Sequence, residues 1–411
     1  MKTGSEWEAP PRVPDDHFVD SAIYTDPTIL AEERKRIFET SWKLACHESE
    51  MPNPGDFRLT DIAGVSVVLV RGEDSVVRAF VNACPHRGAP LVRKPRGNAK
   101  ALSCFFHLWT FDTKGACRSI TRPEGYEEVG FDKTGCGLRT VRVAQKLGLY
   151  FVTLDDSADD FHEHIGNAME CLEQSMGTVP LEVFHLHHSI IKANWKQWHE
   201  TNMETYHEWG HVVNRQTSIA AEGYHERTWQ IHKEGHGTMT PLQVKYENYK
   251  GFEARASLEL PGLKPGEFLV VDLFPNTTII VRATNIRIDT STPIAPGLTM
   301  VEHRGLGIKG EPAEQRAARR KHHNQLWGPL GRNLPEDLIF VEAVHKSYLH
   351  GASRYGLFAR RENLRAQDDE IMRGYYRAWN EKMGRKASDP FGRRSHLAAQ
   401  PALQLVAHGA D

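Results

Sequence analysis

Long apolar segments are absent from this sequence. No run approaches the roughly 18 consecutive apolar residues that a membrane-spanning helix needs. The first residues, Met1 to Asp16, are polar and rich in proline and do not resemble a signal peptide. We therefore expect a cytoplasmic protein that makes no contact with a membrane.

An excess of one charge is also missing. The 51 lysines and arginines nearly balance the 53 aspartates and glutamates, which gives a formal net charge of −2. This balance provides no electrostatic case for binding nucleic acid or an anionic membrane. With 40% hydrophobic and 25% charged residues among 411, the composition is that of a folded chain long enough for two or three domains.

Cysteine is scarce, and its spacing does not suggest disulfides. Four of the six cysteines are scattered without a framework pattern: Cys46, Cys117, Cys136 and Cys171. We expect these four to be reduced thiols, most of them buried. The other two cysteines each stand close to a histidine.

Those two cysteines lie in a C-x-H motif and a C-x-x-H motif separated by seventeen residues. The first motif contains Cys84 and His86, and the second contains Cys104 and His107. Two thiolates and two imidazoles on paired loops can hold a Rieske [2Fe–2S] cluster, with both cysteines on one iron and both histidines on the other. The alternative is a structural zinc site, but a Cys2His2 zinc finger groups its cysteines together and its histidines together. The pattern favours a one-electron carrier.

A second set of metal-binding residue types lies in the run from Trp195 to His211, which reads as a helix. At about 100° per residue, Glu204, His207 and His211 would share one face of this helix. Two histidines and one carboxylate can hold a mononuclear Fe(II) ion and leave positions open for O2. The sequence therefore indicates a second iron site that could use the electrons of the first.

The third ligand for this iron, a carboxylate that joins the two histidines, must come from another part of the chain. Pro335 stands just before an apolar run and predicts the start of a helix. Glu336 and Asp337 follow it, and either could bind the iron. Acidic residues are also common in the first turn of a helix because of its dipole, and spacing alone does not separate the two.

One motif points to a different class of enzyme. His207 to His211 spell H-E-x-x-H, the zinc-peptidase signature, in which Glu208 would act as general base. No H-x-x-G-x-x-H continuation follows, and hydrolysis has no use for a one-electron carrier.

A simple electron carrier is also disfavoured, because about 250 residues with their own metal-binding pattern follow the cluster motif.

The patterning of the chain changes near residue 155 and indicates an α+β protein. From residue 42 to 155, short strand-like runs alternate with glycine, which predicts an all-β domain with both cluster motifs in its loops. From 156 to 385, helical segments and strand-like runs such as Phe268 to Phe274 predict helices around an antiparallel sheet. We expect 1–41 to be an N-terminal segment that packs on this second domain, and 386–411 to be a C-terminal tail.

Together these residues resemble the large (α) subunits of the Rieske non-haem iron ring-hydroxylating oxygenases. The similarity rests on the cluster motif, on N-W-K-x-x-x-E-x-x-x-[DE]-x-Y-H from Asn194 to His207, and on G-P-x-G followed by E-D near Asp337. It implies an N-terminal all-β Rieske [2Fe–2S] domain and a C-terminal catalytic domain of the helix-grip-like (START-type) fold. In this family the aspartate after the glutamate binds iron, so the resemblance selects Asp337.

The resemblance also implies an assembly. Family members form homotrimers of α subunits, often as α3β3 with a small β subunit, and electrons pass from the cluster of one subunit to the iron of the next. A carboxylate bridges the two centres, and here Glu204 would join His107 of one chain to His207 of its neighbour. Most relatives have aspartate at this position, so we expect the longer glutamate to form a bridge of altered geometry. Many relatives have four residues between their iron histidines, whereas three lie between His207 and His211.

The expected function is that of a terminal oxygenase component. The sequence lacks a strand-G-x-G-x-x-G-helix fingerprint, so electrons from NAD(P)H must arrive through a separate reductase, with or without a ferredoxin. Chain length and the run Arg373 to Asn380 resemble family members that hydroxylate aromatic acids. The alternative substrate is a small polar sulfonate or quaternary amine, and the sequence does not separate mono- from dihydroxylation.

Overall fold

Two large antiparallel sheets and a set of helices make up the protein. The computed structural model describes residues 8–204, 207, 210–212, 228–243, 258–264, 266–282, 284–358 and 369–392. Over these residues the α+β fold class predicted from the sequence is confirmed, with an N-terminal β region and a C-terminal region built on an antiparallel sheet.

The N-terminal β region contains most of the shorter strands. The strands up to residue 155 are β1 (Phe18–Asp20), β2 (Lys43–His47), β3 (Asp56–Ile62), β4 (Val65–Arg71), β5 (Val77–Val81), β6 (Arg96–Asn98), β7 (Leu102–Ser103), β8 (Thr110–Phe111), β9 (Cys117–Ser119), β10 (Thr140–Lys146) and β11 (Leu149–Thr153). Seven of them form a sheet in the order β2–β11–β10–β5–β4–β3–β6, and β7, β8 and β9 form a second, smaller sheet.

Strand β4 shows why this region needs so many apolar residues. Its side chains alternate between the two faces of the sheet, and both faces are covered. Val68 and Val70 belong to the core beneath the cluster motifs, whereas Val67 and Leu69 belong to the core on the opposite face. The first cluster motif follows β5, and the second connects β7 to β8, so paired strands fix the ends of both loops.

The C-terminal region contains the longer strands. They are β12 (Leu181–Ile191), β13 (Trp229–Ile231), β14 (Gly237–Met239), β15 (Leu242–Gln243), β16 (Glu267–Leu273), β17 (Thr277–Arg282), β18 (Asn285–Ala295), β19 (Leu298–Ile308) and β20 (Tyr355–Leu357). The sheet order is β12–β19–β18–β17–β16–β14–β13, with β15 beside β16, while β20 pairs with β1.

Helices cover this sheet and carry the second metal-binding pattern. The α-helices are Ala22–Thr25, Pro27–Glu33 (continued by a π-helix at Arg34–Phe38), Phe161–Ile165, Glu173–Met176, Trp195–Met203, Ala313–Trp327, Leu334–Leu349 and Glu370–Met383. Short 3₁₀ turns lie at Asp15–His17, Glu48–Glu50, Pro123–Val129, Lys133–Gly135, Glu170–Leu172 and Lys233–Gly235. Among the described residues, the structure has no helix long and apolar enough to cross a membrane.

The N-terminal segment packs against the C-terminal helices through a buried carboxylate. Glu33 is fully buried and accepts hydrogen bonds from Lys196 Nζ at 2.7 Å, Trp195 Nε1 at 2.9 Å and Trp379 Nε1 at 2.7 Å. A buried charge is tolerated only when it is paired and hydrogen-bonded. Ala387 joins the same core, so the start of the C-terminal tail also packs on these helices.

An ion-pair network joins the two regions. Glu50 of the N-terminal region binds Arg304 on β19, with 2.8 Å between Oε1 and Nε, and it also binds Arg58 on β3 at 2.9 Å. Glu302, next to Arg304 in sequence, binds the guanidinium groups of both arginines. All four side chains are largely buried, so this network fixes how the two sheets pack.

Candidate metal centres

The two cluster loops have the same pattern of backbone hydrogen bonds. In the first loop the Cys84 N–H donates to Ala89 O and the Gly88 N–H donates to Cys84 O, both at 2.8 Å. In the second loop the Cys104 N–H donates to Trp109 O at 2.8 Å and the Leu108 N–H to Cys104 O at 3.0 Å. The fourth residue after each cysteine has positive φ, which Gly88 adopts easily and Leu108 does not. Strained residues of this kind cluster at functional sites.

The four side chains of these loops form two pairs. Cys84 and Cys104 are both buried, and burial together with the neighbouring Cys104 thiol raises the pKa of Cys84. The rings of His86 and His107 lie 4.6 Å apart between centroids. Both histidine Nδ1 atoms are buried without a hydrogen-bond partner. A cluster with two thiolates on one iron and two imidazoles on the other needs this pairing.

The spacing of the same four residues does not fit a single zinc ion. Tetrahedral zinc holds its ligand atoms within about 3.8 Å of one another. Across the described residues, no three of these four side chains bring ligand atoms within 4.8 Å of one another. Two metal ions would be bound by two separated pairs, so the geometry favours the cluster over the zinc alternative.

The aromatic residues around the cluster loops have two different roles. Trp109 is buried and stacks on the ring of His86 at 4.6 Å, and Tyr126 Oη lies 3.2 Å from His86 Nε2. Phe105 and Phe106, by contrast, are 49% and 53% exposed. Phe105 and Phe106 therefore form an exposed apolar tip of the cluster loops, whereas Trp109 and Tyr126 cover the ring of His86.

The helix that leads to the second centre is shorter than predicted. The sequence predicts helix from Trp195 to His211, but the helix Trp195–Met203 stops before Glu204, whose backbone is extended (φ −79°, ψ 137°). In a continuous helix the backbone N–H of His207 would donate to the carbonyl of Met203. Glu204 Oε2 accepts this N–H instead, at 3.2 Å. The predicted helix is therefore wrong at Glu204.

Other residues of the N-W-K motif hold this helix in place. Asn194 caps its first turn, with its side chain accepting the Lys196 N–H at 3.1 Å. Glu200 is half-buried and accepts hydrogen bonds from Tyr24 and Tyr376. Burial raises the pKa of Glu200. These residues fix the helix end from which the second centre begins.

Three side chains converge beyond that helix end. Asp337 Oδ1 lies 3.3 Å from His207 Nε2 and 3.1 Å from His211 Nε2. Mutually adjacent ligands of a six-coordinate ion with bonds of about 2.1 Å lie about 3 Å apart. Asp337 Oδ1 is buried, and neither contact has hydrogen-bonding geometry, so a shared ion accounts for the approach better than hydrogen bonds do. These are the three residues that the sequence analysis selected.

A glutamate contacts each of the two histidines at Nδ1, the ring nitrogen that faces away from Asp337. Glu204 Oε1 lies 2.6 Å from His207 Nδ1, and Glu336 Oε2 lies 2.6 Å from His211 Nδ1. A carboxylate on Nδ1 directs the lone pair of Nε2 at a metal ion. Glu336, which spacing alone could not separate from Asp337, thus supports a histidine while Asp337 faces the shared point.

The charges at this point favour a cation. Burial by itself lowers the pKa of His207, but the carboxylates of Asp337 and Glu204 outweigh burial and raise it. Burial raises the pKa of Asp337, and contacts with the two histidines more than reverse this effect. The carboxylates of Asp337, Glu204 and Glu336 surround the two imidazoles, and a divalent cation would offset most of their negative charge. The residues present therefore fit iron.

A cavity opens onto this set of side chains. Its other described lining residues are Thr201, Asn202, Phe268, Val270, Ile280, Arg282, Trp327 and Asn333. Sequence reasoning placed the pocket only within a broad region of the chain and did not identify Arg282. The pairing of Arg282 with Phe268 across β17 and β16 depends on sheet register, which local pattern does not give.

Comparisons with known proteins agree with both centres. The Rieske [2Fe–2S] domain family matches residues 41–132, and the ring hydroxylating α subunit (catalytic domain) family matches residues 173–385. The α subunit of 2-aminobenzenesulfonate 2,3-dioxygenase from Alcaligenes sp is 42% identical over 94% of this chain and 99% of its own length. The α subunit of methanesulfonate monooxygenase hydroxylase from Methylosulfonomonas methylovora is 40% identical over 94% of this chain and 96% of its own.

A solved structure supports the fold. Naphthalene 1,2-dioxygenase with indole bound superposes with a TM-score of 0.76, covering 90% of this chain and 93% of that one at 22% identity. The chain belongs to the ring-hydroxylating α subunits of the Rieske oxygenases. As in that family, it is an oxidoreductase that uses a [2Fe–2S] cluster and a mononuclear iron, and a separate reductase supplies its electrons.

The zinc-peptidase alternative is not supported by the family comparison. Both histidines of the H-E-x-x-H motif lie within residues 173–385, which match the catalytic domain of the ring hydroxylating α subunits. Glu208, the residue that would act as general base, lies outside the described residues. The peptidase assignment is therefore replaced by the oxygenase assignment.

Proposed function

We propose that this α subunit oxidises a small organic sulfonate. The observation that carries the proposal is that two relatives of at least 40% identity, each covering 94% of the chain, are named for sulfonates, one aromatic and one aliphatic. The group that their substrates share is the sulfonate. The sulfonate alternative of the sequence analysis is thus preferred to an aromatic acid in general.

The proposal assigns the metal ligands as follows. Cys84 and Cys104 hold one iron of the cluster, and His86 and His107 hold the other. The paired contacts and the buried Nδ1 atoms of the two cluster loops support this assignment.

The mononuclear iron is held by His207, His211 and Asp337 in the same proposal. When bound, this iron supplies the chemistry that activates O2 with electrons from the cluster. The protein orients its ligands: Glu204 and Glu336 hold the two Nδ1 atoms so that both Nε2 atoms face Asp337. Three protein ligands leave the remaining positions of a six-coordinate ion for O2 and substrate.

We assign Glu204 the bridging role between subunits. Its carboxylate contacts His207 and is 17% exposed, so its outer side can meet a second chain. The exposed tip of the cluster loops, with Phe106 beside His107, has the apolar character of a surface that a neighbour would cover. We propose a homotrimer in which His107 of one chain meets Glu204 of the next, with a small β subunit in an α3β3 assembly. Native mass spectrometry of the purified α subunit, alone and with a β partner, tests this assembly.

The domain boundaries belong to the same proposal. We place the Rieske domain at 42–155 and the catalytic domain at 156–385, preceded by the segment 1–41 and followed by the tail 386–411. The first strand of the seven-stranded sheet, Lys43–His47, and its last in sequence, Leu149–Thr153, both lie within the first of these ranges. Limited proteolysis with mass spectrometry of the fragments tests the boundaries.

Oxygen uptake with a panel of substrates tests the function. The panel contains methanesulfonate, 2-aminobenzenesulfonate and the matching carboxylates, acetate and 2-aminobenzoate, with a surrogate reductase, a ferredoxin where needed, and NAD(P)H. The proposal expects a sulfonate to give NAD(P)H oxidation and O2 uptake in equal amounts, with little peroxide released. Coupled turnover with carboxylates and none with sulfonates would contradict it.

A further inference from the structure

The hydroxyl of Tyr126 meets one of the two cluster histidines at its outer nitrogen. Tyr126 Oη lies 3.2 Å from His86 Nε2, and the planes of the two rings are 81° apart. The other nitrogen of this imidazole, Nδ1, is buried without a hydrogen-bond partner and is the one left for iron. A histidine that binds a metal through one nitrogen carries its proton on the other and donates it to a nearby acceptor. With iron on Nδ1, the His86 Nε2–H therefore donates to Tyr126 Oη.

Neighbouring aromatic rings hold the Tyr126 hydroxyl in this position. The ring centroid of Tyr126 lies 5.1 Å from that of Phe131 and 5.9 Å from that of Trp109. Trp109 is itself buried and nearly parallel to the ring of His86, with 4.6 Å between the centroids. Aromatic pairs at these separations are stabilising. Packing around the imidazole, and not the loop alone, therefore fixes the position of the acceptor.

The two cluster histidines differ in what their outer nitrogens contact. Within the part of the chain that the structure describes, the imidazole of His107 has no hydrogen-bond partner comparable to Tyr126. Its acceptor in the proposed assembly is Glu204 of the next chain. His86 thus has an acceptor within its own chain, whereas His107 needs one from a neighbour.

An acceptor on the outer N–H changes the imidazole as an iron ligand. It makes the ring more basic and a stronger donor to the metal. Stronger donation stabilises ferric iron more than ferrous iron, because the ferric ion carries the larger charge. Reduction adds one electron to the cluster, and hydrogen bonding around its ligands is among the factors that set its potential. The contact between Tyr126 and His86 should therefore favour the oxidised cluster.

We propose that Tyr126 is a positioning residue of the Rieske centre, whose hydroxyl orients His86 and lowers the reduction potential of the cluster. The inference rests on the proposed function, because it takes His86 to be an iron ligand. In that function one electron leaves the reduced cluster and is accepted at the mononuclear iron site. A lower potential at the donor makes this transfer more favourable, so the Tyr126 hydroxyl assists delivery of electrons to the site that activates O2.

An anaerobic redox titration of the whole protein, followed by visible circular dichroism at one fixed pH, tests the inference. Tyr126→Phe keeps the ring and removes the hydroxyl. The variant is expected to favour the reduced cluster about two- to tenfold more than wild type, the usual worth of one neutral hydrogen bond. A tenfold change corresponds to a potential about 59 mV higher.

Tyr150→Phe is the matched control. Tyr150 belongs to the core on the opposite face of the seven-stranded sheet, and its hydroxyl contacts Arg71 Nη2 at 3.3 Å. Removing this hydroxyl should leave the potential of the cluster unchanged. An equal shift in both variants would show a general effect of lost hydroxyls and would overturn the inference.

Pulsed EPR of the reduced cluster with isotope-labelled histidine gives a second readout, which loss of packing alone would not reproduce. Tyr126→Phe should change the nitrogen couplings of one histidine and leave those of the other unchanged. A change in both histidines or in neither would overturn the inference, as would a potential equal to or below that of wild type. Should Tyr126→Phe fail to assemble the cluster, Tyr126→Trp is used with the same expectation, because its indole keeps an aromatic ring and has no acceptor.

Two outcomes separate this inference from the proposed function. If His86→Ala keeps the visible absorption of the cluster, His86 is not an iron ligand, and the ligand assignment and the inference are both wrong. If Tyr126→Phe gives the expected shift in a protein that oxidises no sulfonate, the substrate proposal is wrong while the role of Tyr126 stands.

Discussion

The two acidic residues at the start of the helix Leu334–Leu349 should respond differently to the loss of charge. Asp337→Asn removes the carboxylate that faces both histidine Nε2 atoms at 3.1 and 3.3 Å. Glu336→Gln removes a carboxylate that meets the far side of one ring, at His211 Nδ1. The substitutions are adjacent and equal in charge, so each is the control for the other.

The structure sets the expected size of each effect. Glu336 is separated from the metal by an imidazole ring, and partners of this kind are worth about 10- to 100-fold in metal affinity, or about 1.4–2.7 kcal/mol. Asp337 would be the single anionic ligand, so its loss should exceed that range. After dialysis against a mild chelator, Asp337→Asn should fall from about three irons per chain to about two, which are those of the cluster. Glu336→Gln should keep its third iron under saturating Fe(II) and lose it more readily on dialysis.

Iron and acid-labile sulfide are measured together in this experiment. The sulfide content and visible absorption of the cluster serve as an internal standard, because neither substitution touches the cluster loops. Retention of about three irons by dialysed Asp337→Asn would refute the ligand assignment. Loss of the third iron from Glu336→Gln alone would mean that the two carboxylates have the opposite roles.

Three further outcomes follow from the geometry. Glu204→Gln should keep both metals at saturating iron and slow product formation about 10- to 100-fold, so wild-type turnover in this variant would refute the bridging role. Glu33→Gln leaves the buried ammonium of Lys196 without its carboxylate and should lower the free energy of unfolding by about 3–5 kcal/mol in chemical denaturation. The double variant with Lys196→Met should recover much of that loss, and no recovery would argue against the pair. Burial lowers the pKa of His236 to about 3, while the unfolded chain takes up a proton near pH 6.5. Stability should therefore fall as pH drops from about 6.5 toward 4, and a pH-independent melting temperature over this range would contradict the prediction.

The cluster site could be found from sequence because its ligands are local. Each pair lies within four residues on a short turn, so letter spacing is already close to spatial spacing. The outward direction of Phe105 and Phe106 was not predictable, because an aromatic residue beside a cluster ligand reads equally well as cover for the cluster or as a contact surface. That choice depends on the sheet beneath the loop.

The mononuclear site could be predicted only in part from the sequence. Helical periodicity grouped Glu204, His207 and His211 correctly but for a partly wrong reason, because the carboxylate of Glu204 ends the helical hydrogen-bonding pattern that was assumed to continue. Asp337 lies 130 residues beyond His207 in sequence. No local pattern distinguishes it from Glu336, and resemblance to the family made the choice.

The most direct test of two iron centres in one chain is the metal and sulfide content of wild-type protein purified without oxygen. The account predicts about three irons and about two acid-labile sulfides per chain, with no stoichiometric zinc and with the visible absorption of a Rieske cluster. Colourless protein that contains zinc and lacks sulfide would contradict it.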